Sequence, residues 1–174
     1  MTTAQDIRLL IVDDHPLVRD GLRLRLSALP GIASVQEAGT ADEAWAQMTP
    51  AAGVMPPNLV LMDVGMKDTN GIELTAALLA RHPELRVLML SMYDNPEYVQ
   101  RALQAGARGY VLKDAPAADI VSALHTVASG GTYLSPEVSG RLFRSSEPRP
   151  VLTPRESEIL SALGKGHSRK QIAK

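Results

Sequence analysis

The chain has 174 residues, 45% hydrophobic and 21% charged, with a net charge of −1 and no cysteine. That excludes a disulfide scaffold and a thiolate metal site, and it leaves any nucleic-acid partner to be argued from local motifs instead of bulk charge. The length suits one full domain and part of a second; no apolar run approaches the roughly 18 residues of a membrane span, and Met1-Thr2-Thr3-Ala4-Gln5-Asp6 carries no basic segment ahead of an apolar core, so the expected location is the cytoplasm, with no membrane partner.

Residues 8–113 alternate short apolar runs with helical spacing, the pattern of stacked βα units. The first strand is predicted over 8–12 and closes on Asp13 and Asp14. Leu17, Val18, Leu22, Leu24 and Leu29 mark the helix after it. A strand over 33–38 leads to a helix marked by Ala41, Ala44, Trp45 and Met48, then to an enlarged Pro- and Ala-rich loop from Thr49 to Pro57. The strand over 58–62 closes on Asp63, and its helix carries Ile72, Leu74, Ala77, Leu78 and Leu79. The strand over 86–90 closes on Ser91 and precedes a helix with Tyr98, Val99, Ala102 and Leu103. The last, over 109–112, closes on Lys113 and precedes a helix with Ile120, Val121, Leu124 and Val127. All strands but the second are nearly continuous apolar runs, as expected where both faces are covered. The predicted fold is α/β: a doubly wound, five-stranded parallel sheet of flavodoxin-like order 2-1-3-4-5, ending near Gly130.

Beyond Gly130, residues 131–136 read as a turn, followed by a short helical pattern through Val138, Leu142 and Phe143. Ser145-Ser146-Glu147-Pro148-Arg149-Pro150 reads as a linker. A second unit begins at Leu152. Thr153-Pro154-Arg155-Glu156 is a capping box with Pro at the first helical position, Gly164 or Gly166 can end that helix, and Ser168-Arg169-Lys170-Gln171 opens another. Helix, Gly-containing turn and helix suggest the start of a helix-turn-helix, with Arg155, Lys165, Arg169 and Lys170 as candidate DNA-backbone contacts.

In a parallel sheet the carboxyl ends of the strands share one edge, where ligands bind. That edge collects Asp13, Asp14, Asp63, Ser91 and Lys113. Each alone has a plainer explanation: the aspartates as helix caps, Ser91 as an ordinary strand end, Lys113 with Asp114 as a solvated pair. Their joint placement points to chemistry. Clustered carboxylates need a cation, and hard oxygens favour Mg²⁺, with Asp13 or Asp14, Asp63 and the backbone carbonyl of Gly65 as the protein's share. Such an ion offsets the repulsion between Asp63 and a phosphoryl donor, so that Asp63 can attack phosphorus in line. Lys113 can balance the phosphoryl oxygens and Ser91 can donate to one; Tyr110 is placed to fill the space a moving Ser91 leaves. His15, without a second His at ligand spacing, is expected to be a loop residue.

Nearly all of residues 7–130 resembles the receiver domain of bacterial two-component response regulators. The segments from Asp13 to Leu22 and from Ala105 to Lys113, with Leu152-Thr153-Pro154-Arg155-Glu156 and Gly166 through Ala173, are similar to the NarL/FixJ (LuxR-type) subfamily. The resemblance implies Asp63 as phosphoacceptor, Asp13 and Asp14 as the acidic metal pair, Gly65 as carbonyl ligand, and Ser91, Tyr110 and Lys113 as the switch hydroxyl, switch aromatic and lysine of the family. It implies a sensor histidine kinase as donor, homodimerisation on phosphorylation through changes at the surface of the fourth helix and fifth strand, promoter DNA as target only if the helix-turn-helix is complete, and no enzymatic activity beyond self-phosphorylation and self-dephosphorylation. The expected organisation is a receiver at 7–130, a linker with a short helix at 131–151, and the N-terminal part of an incomplete LuxR-type helix-turn-helix at 152–174. One departure stands beside the site: Met66 is followed by Lys67, where the family usually has Pro.

The competing classes are a receiver that signals by contact or acts as a phosphate sink without DNA output, a Mg²⁺-dependent phosphatase with an aspartyl intermediate, and a flavodoxin-like nucleotide binder. Gly65 stands where such a phosphatase carries its second acid, and no Gly-rich phosphate loop follows the first strand.

Overall fold

A computed structural model describes residues 6–49 and 51–140. The elements are β1 (Ile7–Val12), α1 (Pro16–Ser27), β2 (Ile32–Ala38), α2 (Ala41–Met48), β3 (Leu59–Asp63), α3 (Gly71–Arg81), β4 (Arg86–Ser91), α4 (Pro96–Gln104), β5 (Gly109–Leu112), α5 (Ala117–Ala128) and β6 (Tyr133–Leu134). The strands form one parallel sheet in the order β2-β1-β3-β4-β5-β6. Five strands with this order are the predicted ones. The sixth corrects the expected five-stranded sheet and the turn expected at 131–136: Tyr133 and Leu134 pair with Gly109 and Tyr110.

The period-2 alternation of strand side chains divides the core into two layers. Leu10, Val12, Val60, Met62, Val87 and Met89 pack with α2, α3 and α4 on one face. Leu9, Ile11, Leu59, Leu61, Leu88 and Leu90 pack with Leu26 of α1 and with Ile120, Leu124 and Val127 of α5 on the other. β3 is buried throughout and β2, at the sheet edge, is mostly half-buried or exposed. The first layer continues past Gly130, because Val138 is fully buried in it. The linker at 145–150 and the helix-turn-helix expected at 152–174 lie outside the described residues.

The apolar face expected for α1 is wrong in part. Leu26 is its one buried residue and Leu22 is half-buried, while Leu17 is 86% and Leu24 69% exposed and Val18 is also exposed. A helix lying on a sheet buries only one stripe, and α1 carries more leucines than that stripe holds.

Candidate phosphoryl-transfer site

The sheet ladder runs into the site. Asp13 N–H donates to the Ala38 carbonyl (3.0 Å), Val64 N–H to Leu90 (3.2 Å) and Lys113 N–H to Ser91 (2.8 Å). The backbone that carries the polar groups is therefore held as firmly as the strands. Because β1 and β3 are neighbours, Asp13 and Asp14 stand beside Asp63. Lys113 starts two strands away from β3, roughly 10 Å at ordinary strand spacing, and only a long side chain spans that gap. Its Nζ reaches 3.1 Å from Asp13 Oδ2 and 3.2 Å from Asp63 Oδ1.

The carboxylates are deeply placed: Asp13 is 1% exposed and Asp63 3%. Burial, followed by the neighbouring Asp13 charge, pushes the Asp63 carboxyl above its ordinary value, while Lys113 and the Gly65 N–H pull the other way. For Lys113, burial acts downward, but its hydrogen bond to Asp13 and the charges of Asp63 and Asp13 outweigh it, so the ammonium is held above its usual range.

The loop after β3 closes on itself. Gly65 N–H donates to Asp63 Oδ1 (3.2 Å), Gly71 N–H to the Val64 carbonyl (3.0 Å), and Gly65 bridges Asn70. Asn70 then caps α3 through the Ile72 N–H (2.8 Å). Gly71 is required at this corner: a Cβ there would lie 2.0 Å from the Asp63 carbonyl oxygen. Lys67 N–H donates to Asp14 Oδ2 at 2.7 Å, a bond that Pro at this position cannot make.

Ser91 and Tyr110 are fully buried, and both hold Tyr93. Ser91 Oγ accepts from Tyr93 N–H (2.9 Å), and Tyr110 OH donates to the Tyr93 carbonyl (2.6 Å). Burial pushes the Tyr110 hydroxyl up to about 12. The Tyr93 ring stacks on Tyr98 of α4 with centroids 5.3 Å apart. Beside Asp63, a cleft of about 270 Å³ opens between these two rings and the loop from Val64 to Asn70.

The acidic residues fit a divalent cation. Asp13, Asp14, His15 and Asp63 each present one ligand atom, all within 4.8 Å of one another. Asp14 Oδ1 and Asp63 Oδ2 are buried and accept no hydrogen bond from the protein. Neither Asp13 nor Asp14 serves as the cap of α1: the N-cap position is His15, without a side-chain cap bond. Three contributions differ from what the sequence suggests. His15 Nδ1 lies against Asp13 and Asp14, and Lys67 acts through its backbone N–H. Arg19 donates to the Asp13 carbonyl (2.6 Å) while paired with Glu37 (3.4 Å). The signal for Arg19 was its place one helical turn after His15, beside the end of β2.

A family model described as the response regulator receiver domain matches residues 9–125. The chain belongs to the response regulator family. Its relatives include proteins named as transcriptional regulators and as response regulators. It is 42% identical over 175 residues to the transcriptional regulatory protein MctR of Rhizobium johnstonii, covering 99% of this chain and 80% of that protein. It also resembles the crystal structure of a LuxR-family response regulator from Aurantimonas, with TM-score 0.74 and 31% identity over 81% of this chain and 98% of that one. The structure of RcsB from Salmonella enterica, bound to a promoter in the presence of phosphomimetic BeF3−, aligns with TM-score 0.74 and 26% identity over 97% of this chain and 82% of that one. The receiver and its neighbours thus share a parallel α/β fold, and among the described residues no helix is long and apolar enough to cross a membrane.

Proposed function

We propose that this response regulator takes a phosphoryl group on Asp63 from a sensor histidine kinase, in the cytoplasm, and passes the event on as changed self-association and DNA binding. The observation that carries the proposal is the Lys113 ammonium between Asp13 and Asp63, at a carboxylate with one buried oxygen left without a partner. One oxygen of the Asp63 carboxylate attacks phosphorus while the other is left to the ion. A P–O bond to Asp63 forms as the P–N bond to the donor imidazole breaks, and the leaving nitrogen takes up a proton. Lys113 follows the negative charge from carboxylate to phosphoryl oxygen, and Ser91 turns its hydroxyl to a second oxygen. Mg²⁺, held by Asp13, Asp14, Asp63 and the Gly65 carbonyl, supplies charge neutralisation when bound. Self-dephosphorylation uses water at the same phosphorus.

The way out of the site runs through Tyr93. Both its N–H and its carbonyl are tied, by Ser91 and Tyr110. A Ser91 drawn toward a phosphoryl group releases the first tie, and the stacked Tyr98 carries the change into α4. For homodimerisation on phosphorylation, the exposed Leu17 and Leu24 of α1, two turns apart on one face, offer an unpartnered apolar stripe. Promoter DNA is the proposed target of the helix-turn-helix begun at 152–174, following the receiver of 7–130 and the linker of 131–151; the RcsB complex with a promoter supports this by similarity.

The test is phosphoryl uptake from a small phosphodonor with Mg²⁺. One group per wild-type chain, and loss of uptake on chelation or in Asp63→Asn, is expected. Uptake by Asp63→Asn at the wild-type level contradicts the proposal.

A further inference from the structure

Among the polar groups at the sheet edge, His15 has a placement that phosphoryl transfer does not use. It sits at the N-cap of α1 in an extended conformation (φ −96°, ψ 107°), and its side chain makes no capping bond. Its N–H donates to Asp13 Oδ1 at 2.8 Å, which turns the ring back over the acidic pair. Nδ1 then lies 3.2 Å from Asp13 Oδ1, a hydrogen bond that an ion bound at Nδ1 would replace, and 3.0 Å from Asp14 Oδ1. Pro16, next in the chain, fixes φ at the first helical position and limits how far this corner can rearrange.

We propose that His15 is a ligand of the divalent ion at this site, through Nδ1, and so raises its affinity for ions that accept imidazole nitrogen. The inference deepens the metal reading above and rests on it. Neighbouring ligand atoms around an octahedral ion at about 2.1 Å lie about 3.0 Å apart, and opposite ones about 4.2 Å. The His15–Asp13 and His15–Asp14 separations match such edges, and the 4.8 Å limit on the four-residue cluster accommodates the diagonals. The carboxylates are arranged to leave oxygens for an ion. Lys67 N–H engages Asp14 Oδ2, so Asp14 Oδ1 remains beside His15 without a hydrogen bond. Asp63, 3% exposed, keeps Oδ2 unpartnered within the same cluster. The ring is 56% exposed, so an ion reaches Nδ1 from solvent.

Ligand chemistry separates His15 from the carboxylates. Mg²⁺ binds oxygen and keeps its waters, so an imidazole adds little to its hold. Ni²⁺ and its first-row neighbours accept imidazole readily. Removing His15 therefore weakens Ni²⁺ binding and spares Mg²⁺ binding. A loss of about tenfold or more is expected, since even the outer partners of metal ligands contribute about 10–100-fold.

The experiment is calorimetric titration of the 174-residue chain with Mg²⁺ and with Ni²⁺, in wild type, His15→Ala and Asp63→Asn, with excess Mg²⁺ as competitor to separate this site from other histidines. The inference expects His15→Ala to lose about tenfold or more in Mg²⁺-competable Ni²⁺ affinity while Mg²⁺ affinity stays within about twofold, and Asp63→Asn to weaken both ions. Unchanged Ni²⁺ affinity in His15→Ala overturns it, as does an equal loss for both ions, which would make His15 a positioning residue for the carboxylates. If wild type binds neither ion saturably, or Asp63→Asn leaves both affinities intact, the acidic metal site itself fails and the inference fails with it.

Discussion

The Lys67 peptide N–H donates to Asp14 Oδ2 across 2.7 Å, tying the loop after β3 to the end of β1. The tie belongs to the backbone, so a change of side chain alone does not remove it. Lys67→Pro removes the donor, whereas Lys67→Ala removes the charge and keeps the donor. Lys67→Pro is expected to lower unfolding stability by about 1 kcal/mol, and Lys67→Ala to stay within about 0.5 kcal/mol of wild type. Urea titration of both variants checks this; equal stability in the two would remove the hydrogen bond from the account.

Without a divalent cation, the Asp63 charge works against the fold. Burial and Asp13 raise its pKa, so the folded state holds this proton more tightly than the unfolded chain. The cost of ionising Asp63 is absent below the ordinary carboxylate pKa and complete above the raised one. At neutral pH, Asp63→Asn is therefore expected to melt higher than wild type in chelator, and Mg²⁺ to narrow the gap by stabilising wild type more. Lys113→Met has the opposite effect, a loss of about 2 kcal/mol in chelator, because it leaves two buried carboxylates without their cation. Thermal melts of the three proteins with and without Mg²⁺ decide it, and a lower melting point for Asp63→Asn in chelator contradicts the electrostatic reading.

Lys113 and Tyr110 set an alkaline limit. Tyr110 is raised by burial to about 12. Lys113 is raised although burial opposes it, because its carboxylate partners outweigh burial. Both groups bind protons more tightly when folded, so their stabilising contributions are full below the unfolded pKa values, about 10, and are lost as pH rises through the folded ones. The urea midpoint is expected to fall above about pH 10. The fall should be shallower in Tyr110→Phe, which has no proton to lose. A slope identical to wild type in that variant would rule out Tyr110 as a contributor.

The apolar stripe of α1 yields a prediction that separates folding from assembly. Leu17 and Leu24 contribute little to the core at their exposures, so Leu17→Asp and Leu24→Asp should each change monomer stability by no more than about 0.5 kcal/mol. Each should reduce self-association of the phosphorylated chain. Light scattering before and after phosphodonor treatment checks this, and full dimerisation of the double variant moves the interface elsewhere.

The strand ends were legible because the buried strands are continuous apolar runs stopped by a single polar residue, as in Leu59–Asp63 and Arg86–Ser91. That pattern puts Asp63, Ser91 and Lys113 on one edge. The exposed side of α1 was not legible, because helical spacing marks every leucine alike and the sheet accepts only some of them. β6 escaped because two residues are too few to show alternation; its pairing depends on Gly109, where a Cβ would meet Leu88 at 2.7 Å and the Tyr133 carbonyl at 2.9 Å. Lys67 was visible as a charge, but its contact in the structure is made by its backbone N–H, which side-chain chemistry does not reveal. His15 looked isolated because its partners are its own two neighbours and not a second histidine.

The most direct test of the central claim is to locate the phosphoryl group. The chain is treated with a small phosphodonor and Mg²⁺, the acyl phosphate is reduced with borohydride, and the peptides are mapped by mass. Reduction at Asp63 alone, converting it to the corresponding alcohol, is the predicted result. Reduction at Asp13 or Asp14, or none at any aspartate despite phosphoryl uptake, would contradict it.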